Sequence, residues 1–287
     1  MTSFVTGPVR VRVPASSANL GPGYDSLGLA LALHDVVAAE VVDGPPGSVR
    51  IDVTGEGADT VSLDDSHLVH RCLVRGLQHL GADVPALALH CRNAVPHGRG
   101  LGSSSAAIVA GLALARALVP DGAERWDDLA LFRLAAEIEG HPDNVAPAAL
   151  GGLTVSWWSG TAYDAVRLEV PDGIAFVALV PPDPLATSVA RGLLPAQVPH
   201  ADAAHAAGRA ALLVACLTQG PARVRDWRGR LLAATEDRLH QTSRAPASST
   251  SSTTTRSSAP AATSRAPTTS TSRSPWSGSS VSARATR

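Results

Sequence analysis

The first part of the chain alternates apolar and polar side chains. Residues 9–16 read VRVRVPAS, with an apolar residue at every second position up to Val13, which predicts a half-buried strand. Further strands are predicted at 36–42, 49–53 and 86–91, each bounded by Gly, Pro or Asp. The segments GGLTVSWW at 151–158 and GIAFVALVPP at 173–182 are also predicted strands.

Helices are predicted where apolar residues recur at intervals of three and four. Residues 67–80 place Leu68, Cys72, Leu73 and Leu77 on one side. From near Ser104, apolar and small residues continue without a breaker for about four turns, which predicts a buried helix. Further helices are predicted at 129–140, 205–218 and 227–241. Strands and helices mingle without a regular βαβ alternation, so the predicted fold class is α+β rather than a doubly wound sheet.

Size and composition indicate a globular chain. Its 287 residues are 45% hydrophobic and 17% charged, which fits one large or two small domains. No apolar run approaches the roughly 20 residues that span a bilayer, and the first residues lack the features of a signal peptide. We therefore expect a cytoplasmic protein without a membrane partner. Cys72, Cys91 and Cys216 are odd in number and far apart, which favours core thiols over disulfides or zinc ligands.

Charge is distributed unevenly along the chain. All 24 basic residues are arginine, which excludes a phosphate-loop or Schiff-base lysine. Six of these arginines and none of the 25 acidic residues lie in 242–287, so residues 1–241 carry a net charge of −7. An acidic body argues against nucleic acid as a partner. Residues 242–287 include 25 Ser or Thr, and we expect disorder from about residue 248.

A glycine-rich loop gives the strongest chemical signal. The segment PHGRGLGSSSA leads directly into the predicted buried helix. Gly98, Gly100 and Gly102 let the backbone approach a ligand closely, and the helix start directs N–H groups and a positive dipole end at one point, where anionic phosphate binds well. The spacing matches neither a lysine P-loop nor a dinucleotide fingerprint, and a glycine turn with a serine N-cap is the alternative. The predicted phosphate-binding residues are Pro96, His97, Gly98, Arg99, Gly100, Leu101, Gly102, Ser103, Ser104, Ser105 and Ala106.

A second polar segment, SSANLGPGYD, follows the first strand. Asn19 offers an amide and Asp25 a carboxylate, in a loop too polar and too rich in glycine for a core. Such a pair could hold a substrate that bears hydroxyl and ammonium groups. The alternative is an Asx turn with a helix cap.

The third polar segment is EIEGHPDN. Glu137 and Glu139 lie two positions apart near a helix end, so one of them at most faces the loop. A magnesium nucleotide needs such a carboxylate, because hard cations prefer oxygen ligands. His141, Asp143 and Asn144 follow in a tight turn, for which a helix C-cap is the alternative role.

These segments together resemble a known family. PHGRGLGSSSAA is similar to the phosphate loop of the GHMP small-molecule kinases, and VRVPASSANLGPGYDSLGLAL and EGHPDNVAPAALGG resemble the homoserine kinase branch. The resemblance runs from about residue 9 to about residue 247. It implies an N-terminal domain with the fold of ribosomal protein S5 domain 2, a ferredoxin-like C-terminal domain and an active site between them. The expected divisions are 1–155, an incomplete C-terminal domain at 156–247, and a tail at 248–287.

The resemblance also implies roles for individual residues. It makes ATP and Mg²⁺ the cofactors, with Ser104 and Glu139 as metal partners, and L-homoserine the substrate. Asn19, Asp25 and His141 are then substrate contacts, Arg191 grips the α-carboxylate beside Thr187, and Arg244 is a second substrate arginine. In the wider group an aspartate at the third segment is the general base, which suggests that role for Asp143. The predicted catalytic residues are Glu139, Asp143 and Asn144.

One family feature is missing from the sequence. Nothing after Gln241 resembles the glycine-rich third motif, roughly SGAGPT, and the Ser, Thr, Arg, Ala and Pro found instead are typical of another reading frame of a GC-rich gene. The main hypothesis is an ATP-dependent homoserine kinase. The alternatives are a mevalonate or sugar kinase of the same group and an inactive nucleotide-binding remnant. Oligomeric state is left open, with a homodimer as one possibility.

Overall fold

The computed structural model of the chain describes residues 2–180 and 194–240. Within these ranges six strands form one mixed sheet. The strands are β1 (Val9–Ala18), β2 (Leu27–Val41), β3 (Val49–Gly55), β4 (Leu87–Asn93), β5 (Leu153–Trp158) and β6 (Tyr163–Leu168). The strands predicted at 9–16, 49–53, 86–91 and 151–158 are confirmed, whereas β6 was not predicted.

Strand β2 is the centre of the sheet. One of its edges pairs with β1 in antiparallel register, from Val9 opposite Ala39 to Ala18 opposite Gly28. The other edge pairs with β4 at one end and with β5 at the other. Strand β3 lies parallel to β4, and β6 lies antiparallel to β5. The strand begins at Leu27, nine residues before the predicted start at 36, because its first part pairs with β1 on one edge and with β5 on the other.

Seven helices lie in the described ranges. They are α1 (Leu68–His79), α2 (Ser103–Leu118), α3 (Gly122–Arg125), α4 (Asp128–Glu139), α5 (Val145–Leu150), α6 (His200–Arg223) and α7 (Trp227–Ala234). The four predicted helices that begin near residues 67, 104, 129 and 227 are confirmed, although α7 ends well before 241. Helix α6 is longer than the predicted 205–218 and has a kink at Gly220, whose φ is 66°.

The main core lies between the sheet and helices α1, α2 and α4. Helix α2 is buried on most of its surface, and Ile108, Leu112 and Leu114 are at most 2% exposed. A helix that is apolar nearly all round belongs inside a protein, as the sequence pattern indicated. This burial fixes the position of the helix, and therefore the position of its N-terminus.

Helices α6 and α7 form a second core against the other end of the sheet. Leu213 and Leu217 of α6 and Leu231 of α7 pack with Leu27 and Leu29 of β2. The indole N–H of Trp227 donates a hydrogen bond of 2.7 Å to the carbonyl of Cys216, which links the two helices. The end of β2 that leads out of the Asn19–Asp25 segment is thus covered by the C-terminal helices.

The strand predicted at 173–182 is wrong for its described part. Residues 173–180 are apolar but pair with no described strand, and Val177 and Leu179 are 51% and 64% exposed. A strand needs a neighbour to satisfy its N–H and C=O groups, and the described residues supply none here. The apolar pattern alone therefore did not determine the local structure.

No helix in the described part of the chain combines the length and the apolar character that a membrane span requires.

The close packing of α1 against α2 leads to a test of stability with two helical glycines. A Cβ added at Gly111 of α2 would overlap the Val69 carbonyl oxygen of α1 and lie 2.6 Å from the Cβ of Cys72, whereas one added at Gly208 of α6 meets no heavy atom within 4 Å. We expect Gly111→Ala to lower the free energy of unfolding by about 1–3 kcal/mol. Gly208→Ala should raise it by about 0.5–1 kcal/mol, because alanine costs less conformational entropy in a helix.

Urea denaturation followed by far-UV circular dichroism measures both changes. A Gly111→Ala variant as stable as the parent chain would contradict the packing described for α1 and α2.

Candidate active site

The predicted phosphate loop lies directly before the buried helix α2. Gly98, Gly100 and Gly102 all have left-handed backbone angles, with φ between 67° and 71°. Gly102 is the N-cap residue of α2, and no side chain caps the first turn. The loop therefore brings three positions that favour glycine to a helix start whose N–H groups suit an anion, as the sequence predicted.

The first turn of α2 contacts the last residue of α4. The hydroxyl of Ser104 donates to Glu139 Oε1 at 2.6 Å, and the hydroxyl of Ser105 donates to the same oxygen at 2.9 Å. Glu137 is exposed on α4 and makes no hydrogen bond or ion pair with a described residue. Of the two acids, Glu139 is thus the one that faces the loop. The structure brings Ser104 and Glu139 together and adds Ser105 to the pair.

This donor set fits a magnesium nucleotide. Mg²⁺ binds through one or two protein oxygens together with substrate phosphates and water, rather than in a cage of protein ligands. Glu139 and the two hydroxyls supply oxygen donors at the helix end where phosphate would lie. The described residues contain no cluster of three or more His, Cys, Asp or Glu that could hold a metal without such help.

An open cleft borders the loop. It has a volume of about 460 Å³, and its lining includes Pro96, His97 and Arg99 from the loop and Glu56 and Thr60 from the segment after β3. Pockets of about 300–1,000 Å³ accommodate small molecules and cofactors. The position of this cleft beside the phosphate loop makes it a candidate site for the rest of a nucleotide.

The Asn19–Asp25 segment holds two strained residues. Asn19 and Asp25 have φ values of 56° and 54°, which is uncommon for residues other than glycine. The Asn19 Oδ1 accepts a hydrogen bond of 2.9 Å from the backbone N–H of Asp25. Such strain concentrates at functional sites. The Asn19 side chain therefore closes the loop, which is the structural role considered from the sequence.

His141, Asp143 and Asn144 form a linked turn after α4. The His141 Nδ1 lies 2.7 Å from Asp143 Oδ1, and the same oxygen accepts the backbone N–H of Asn144 at 2.9 Å. The side chain of Asp143 is completely buried, and its Oδ2 has no hydrogen-bond partner among the described residues. Asp143 Oδ1 thus orients the His141 ring and fixes the turn. If Asp143 acts as a base, as predicted, it must do so through Oδ2.

Three predicted substrate residues cannot be placed. Thr187, Arg191 and Arg244 lie outside the described residues. The phosphate loop and Glu139 form one part of the site, and the His141–Asn144 turn lies next to it. The Asn19–Asp25 segment connects the end of β1 to the start of β2.

A stacked pair that sequence reasoning missed joins the C-terminal segment to the Asn19–Asp25 loop. The Tyr24 and His240 rings are parallel within 8°, with their centroids 4.5 Å apart. His240 Nδ1 lies 3.1 Å from Oδ2 of Asp237, whose side chain is fully buried. A weak signal was present in the sequence, since His240 lies four residues before Arg244. The contact shows that residues near 240 reach the Asn19–Asp25 loop.

Asp35 was also missed. Its Oδ1 accepts the backbone N–H groups of Ala94 and Val95 at 2.7 and 2.9 Å, and these two residues lead directly into the phosphate loop. Burial raises the pKa of the Asp35 carboxyl, while the two amide hydrogen bonds and the nearby His97 oppose the rise. Asp35 lies in the middle of a strand, where no sequence motif marks it. It holds the entry of the loop against β2.

Comparison with known proteins agrees with this geometry. Residues 67–152 match the family model described as the GHMP kinases N terminal domain. The homoserine kinases of Streptomyces coelicolor and Streptomyces avermitilis are 54% and 53% identical to the chain over 245 residues, with 85% of this chain covered and 76% and 77% of the relatives. A crystal structure of homoserine kinase from Cytophaga hutchinsonii has a TM-score of 0.72 at 26% identity and covers 85% of this chain and 76% of its own.

Three features together define a GHMP kinase. They are a glycine loop before a buried helix, a carboxylate against the first turn of that helix, and the matched domain. This confirms the fold class expected from the sequence. At this identity and coverage, the chain belongs to the homoserine kinase family. ATP use and a small-molecule substrate follow from that membership.

The buried position of Asp35 leads to a prediction about pH and stability. Because burial raises the pKa of Asp35 in the folded state above its unfolded value of 3.8, its stabilising contribution is greatest below that pH and is lost as pH rises through the folded pKa. Asp35→Asn keeps an oxygen that can accept both N–H groups and removes the buried charge, so its free energy of unfolding at neutral pH should equal or exceed that of the parent chain. Asp35→Ala leaves two N–H groups without this acceptor and should lose about 1–3 kcal/mol.

Urea denaturation at several pH values measures these changes, and the advantage of Asp35→Asn should shrink as pH falls toward 3.8. Equal losses for the asparagine and alanine variants at neutral pH would contradict this account of Asp35.

Proposed function

We propose that the chain transfers the γ-phosphate of ATP to the side-chain hydroxyl of L-homoserine, forming O-phospho-L-homoserine and ADP. The observation that carries this proposal is the pairing of Ser104 and Ser105 with Glu139 at the N-terminus of α2. Family membership supports the substrate, because the similar Streptomyces proteins are homoserine kinases.

The glycine loop would hold the phosphates of the nucleotide, and Glu139 with the Ser104 and Ser105 hydroxyls would hold Mg²⁺. Bound Mg²⁺ would neutralise phosphate charge, and Ser104 or Ser105 would give up its hydrogen bond to Glu139 to meet a phosphate oxygen or the ion. The N–H groups of the first turn add positive potential at the same point. Phosphoryl transfer depends mainly on such positioning and electrostatic stabilisation, so no covalent enzyme intermediate is needed.

The amino acid would bind between the Asn19–Asp25 loop and the His141 turn. Asp25 provides a carboxylate for the ammonium group, and His141 is held in place by Asp143. Arg191, Thr187 and Arg244 remain predicted contacts for the carboxylate end. When the hydroxyl oxygen attacks the γ-phosphorus, the bond to the ADP oxygen breaks and the hydroxyl proton must leave. The predicted acceptor is Asp143 Oδ2, which is buried and accepts no hydrogen bond from a described residue.

A nucleotide-binding remnant is the second candidate. Residues 173–180 pair with no described strand, and the sequence after Gln241 has no third glycine-rich motif. If that motif is required for closure over the substrate, the chain would bind ATP without turnover.

Incubation with Mg-ATP distinguishes the two candidates. We expect ADP to form when L-homoserine is present, and mevalonate or galactose should not replace it. Tight ATP binding with no product, measured with radiolabelled ATP, would favour the remnant. Equal turnover with mevalonate or galactose would contradict the substrate.

Two neighbouring acids on α4 provide a matched test of the metal role. Glu139→Gln keeps an acceptor for Ser104 and Ser105 but removes the charge that would hold Mg²⁺, so kcat should fall by about 100-fold, which corresponds to roughly 2.7 kcal/mol. The Mg²⁺ concentration for half-maximal activity should rise. Glu137→Gln alters an exposed side chain and should change kcat by less than about twofold.

Initial rates at several Mg²⁺ concentrations measure both effects. Equal losses in the two variants would show that the position of Glu139 at the loop has no special role.

A further inference from the structure

Three separated segments of the sequence meet at Ser16, which has no assigned role. The residue lies near the end of β1, just before Asn19, and is completely buried. Its backbone N–H donates to the carbonyl of Leu101 in the phosphate loop at 3.0 Å. Its hydroxyl donates to the Oδ1 of Asn144, in the turn after α4, at 2.9 Å. One buried serine thus connects the strand, the phosphate loop and the His141–Asn144 turn.

The backbone around Ser16 is arranged for these contacts. The pairing of β1 with β2 shifts register between Pro14 and Ser16. Irregularities of this kind re-aim side chains and are frequent beside active sites. Gly102 lies against the pair, since a Cβ there would overlap the Ser16 hydroxyl and come within 3.0 Å of the Asn144 Oδ1. The N-cap of α2 therefore touches both partners of this hydrogen bond.

In the structure the Asn144 amide has its oxygen directed at the Ser16 hydroxyl. A side-chain amide has an accepting oxygen and a donating nitrogen of nearly equal size, so its environment decides their positions. Ser16 donates to Oδ1, and the Asn144 Nδ2 makes no hydrogen bond with any residue of 2–180 or 194–240. Two N–H donors thus remain without a partner among the described residues, on an amide whose oxygen lies next to Gly102 at the helix start. N–H donors attract a phosphate, whereas an oxygen at their position would repel it.

We propose that Ser16 is a positioning residue that fixes the Asn144 amide so that its nitrogen donates to the terminal phosphate of bound ATP. The proposal rests on the proposed function, because it assumes that the nucleotide phosphates lie at the start of α2. Ser16 is itself buried beneath Asn144 and acts through it. Its effect should therefore depend on whether the γ-phosphate is present and on whether Asn144 is intact.

The affinity of the chain for two nucleotides tests this dependence without requiring turnover. Isothermal titration calorimetry gives the Kd of Mg-ADP and of the non-hydrolysable ATP analogue AMP-PNP. We expect the parent chain to prefer AMP-PNP. Ser16→Ala should reduce that preference by about three- to tenfold, the effect of losing one hydrogen bond of ordinary net strength. A variant that is only less stable would bind both nucleotides more weakly by the same factor, and its preference for AMP-PNP would be unchanged.

A double-mutant cycle separates the action of Ser16 from that of Asn144. Asn144→Ala should reduce the preference at least as much as Ser16→Ala, and the double variant should resemble Asn144→Ala alone. Ser17→Ala is the matched control, since the neighbouring hydroxyl of Ser17 makes no hydrogen bond within the described ranges, and it should leave the preference unchanged. If Ser16→Ala does not fold, Ser16→Cys retains the volume with a weaker donor and should give a smaller reduction.

The possible outcomes are distinct. If Asn144→Ala keeps the preference, or the parent chain has none, Asn144 does not contact the terminal phosphate, and the proposal fails together with that part of the proposed site. If Asn144→Ala loses the preference while Ser16→Ala and Ser16→Cys keep it, Ser16 does not position the amide. In that case the proposed function stands and this inference alone is overturned.

Discussion

The site depends on one constraint: helix α2 is buried along most of its length and begins at a glycine that cannot cap it. The core determines the direction of the helix, so its first N–H groups point at a fixed place on the surface of the domain. Backbone donors at such an end need partners, and the described side chains provide no cap. A phosphate group satisfies both the donors and the positive end of the helix dipole. Stability and ligand binding thus arise from the same element.

The packing around α2 explains the arrangement of the other parts. Gly111 allows α1 to approach closely on one side, and α4 ends with Glu139 against the first turn on another. Asp35 holds the chain that enters the loop. These supports come from rigid strands and helices, which position groups more accurately than loops do. The phosphate loop supplies backbone N–H groups, and the surrounding strands and helices hold the loop in position.

The C-terminal helices contribute to the site by a different route. Helices α6 and α7 cover the end of β2, and the Tyr24–His240 stack extends this contact to the Asn19–Asp25 loop. The apolar side chains of residues 173–180 remain partly exposed beside these elements. Within the described residues, the larger core thus lies between the sheet and helices α1, α2 and α4, whereas helices α6 and α7 pack against one end of the sheet.

The sequence by itself determined the elements and motifs whose signals are local. The alternation in 9–16, the uninterrupted apolar run after Ser104 and the glycines at 98, 100 and 102 reflect backbone preferences that act within a few residues, and each appears as predicted. Tertiary structure decided the features that require a partner distant in the chain. Residues 173–180 form no strand despite their pattern, because a strand depends on a neighbour. Asp35, Ser16 and His240 carry no motif, and their roles arise only because folding places them against residues about 59, 128 and 216 positions away, an order of separation that local propensity cannot encode.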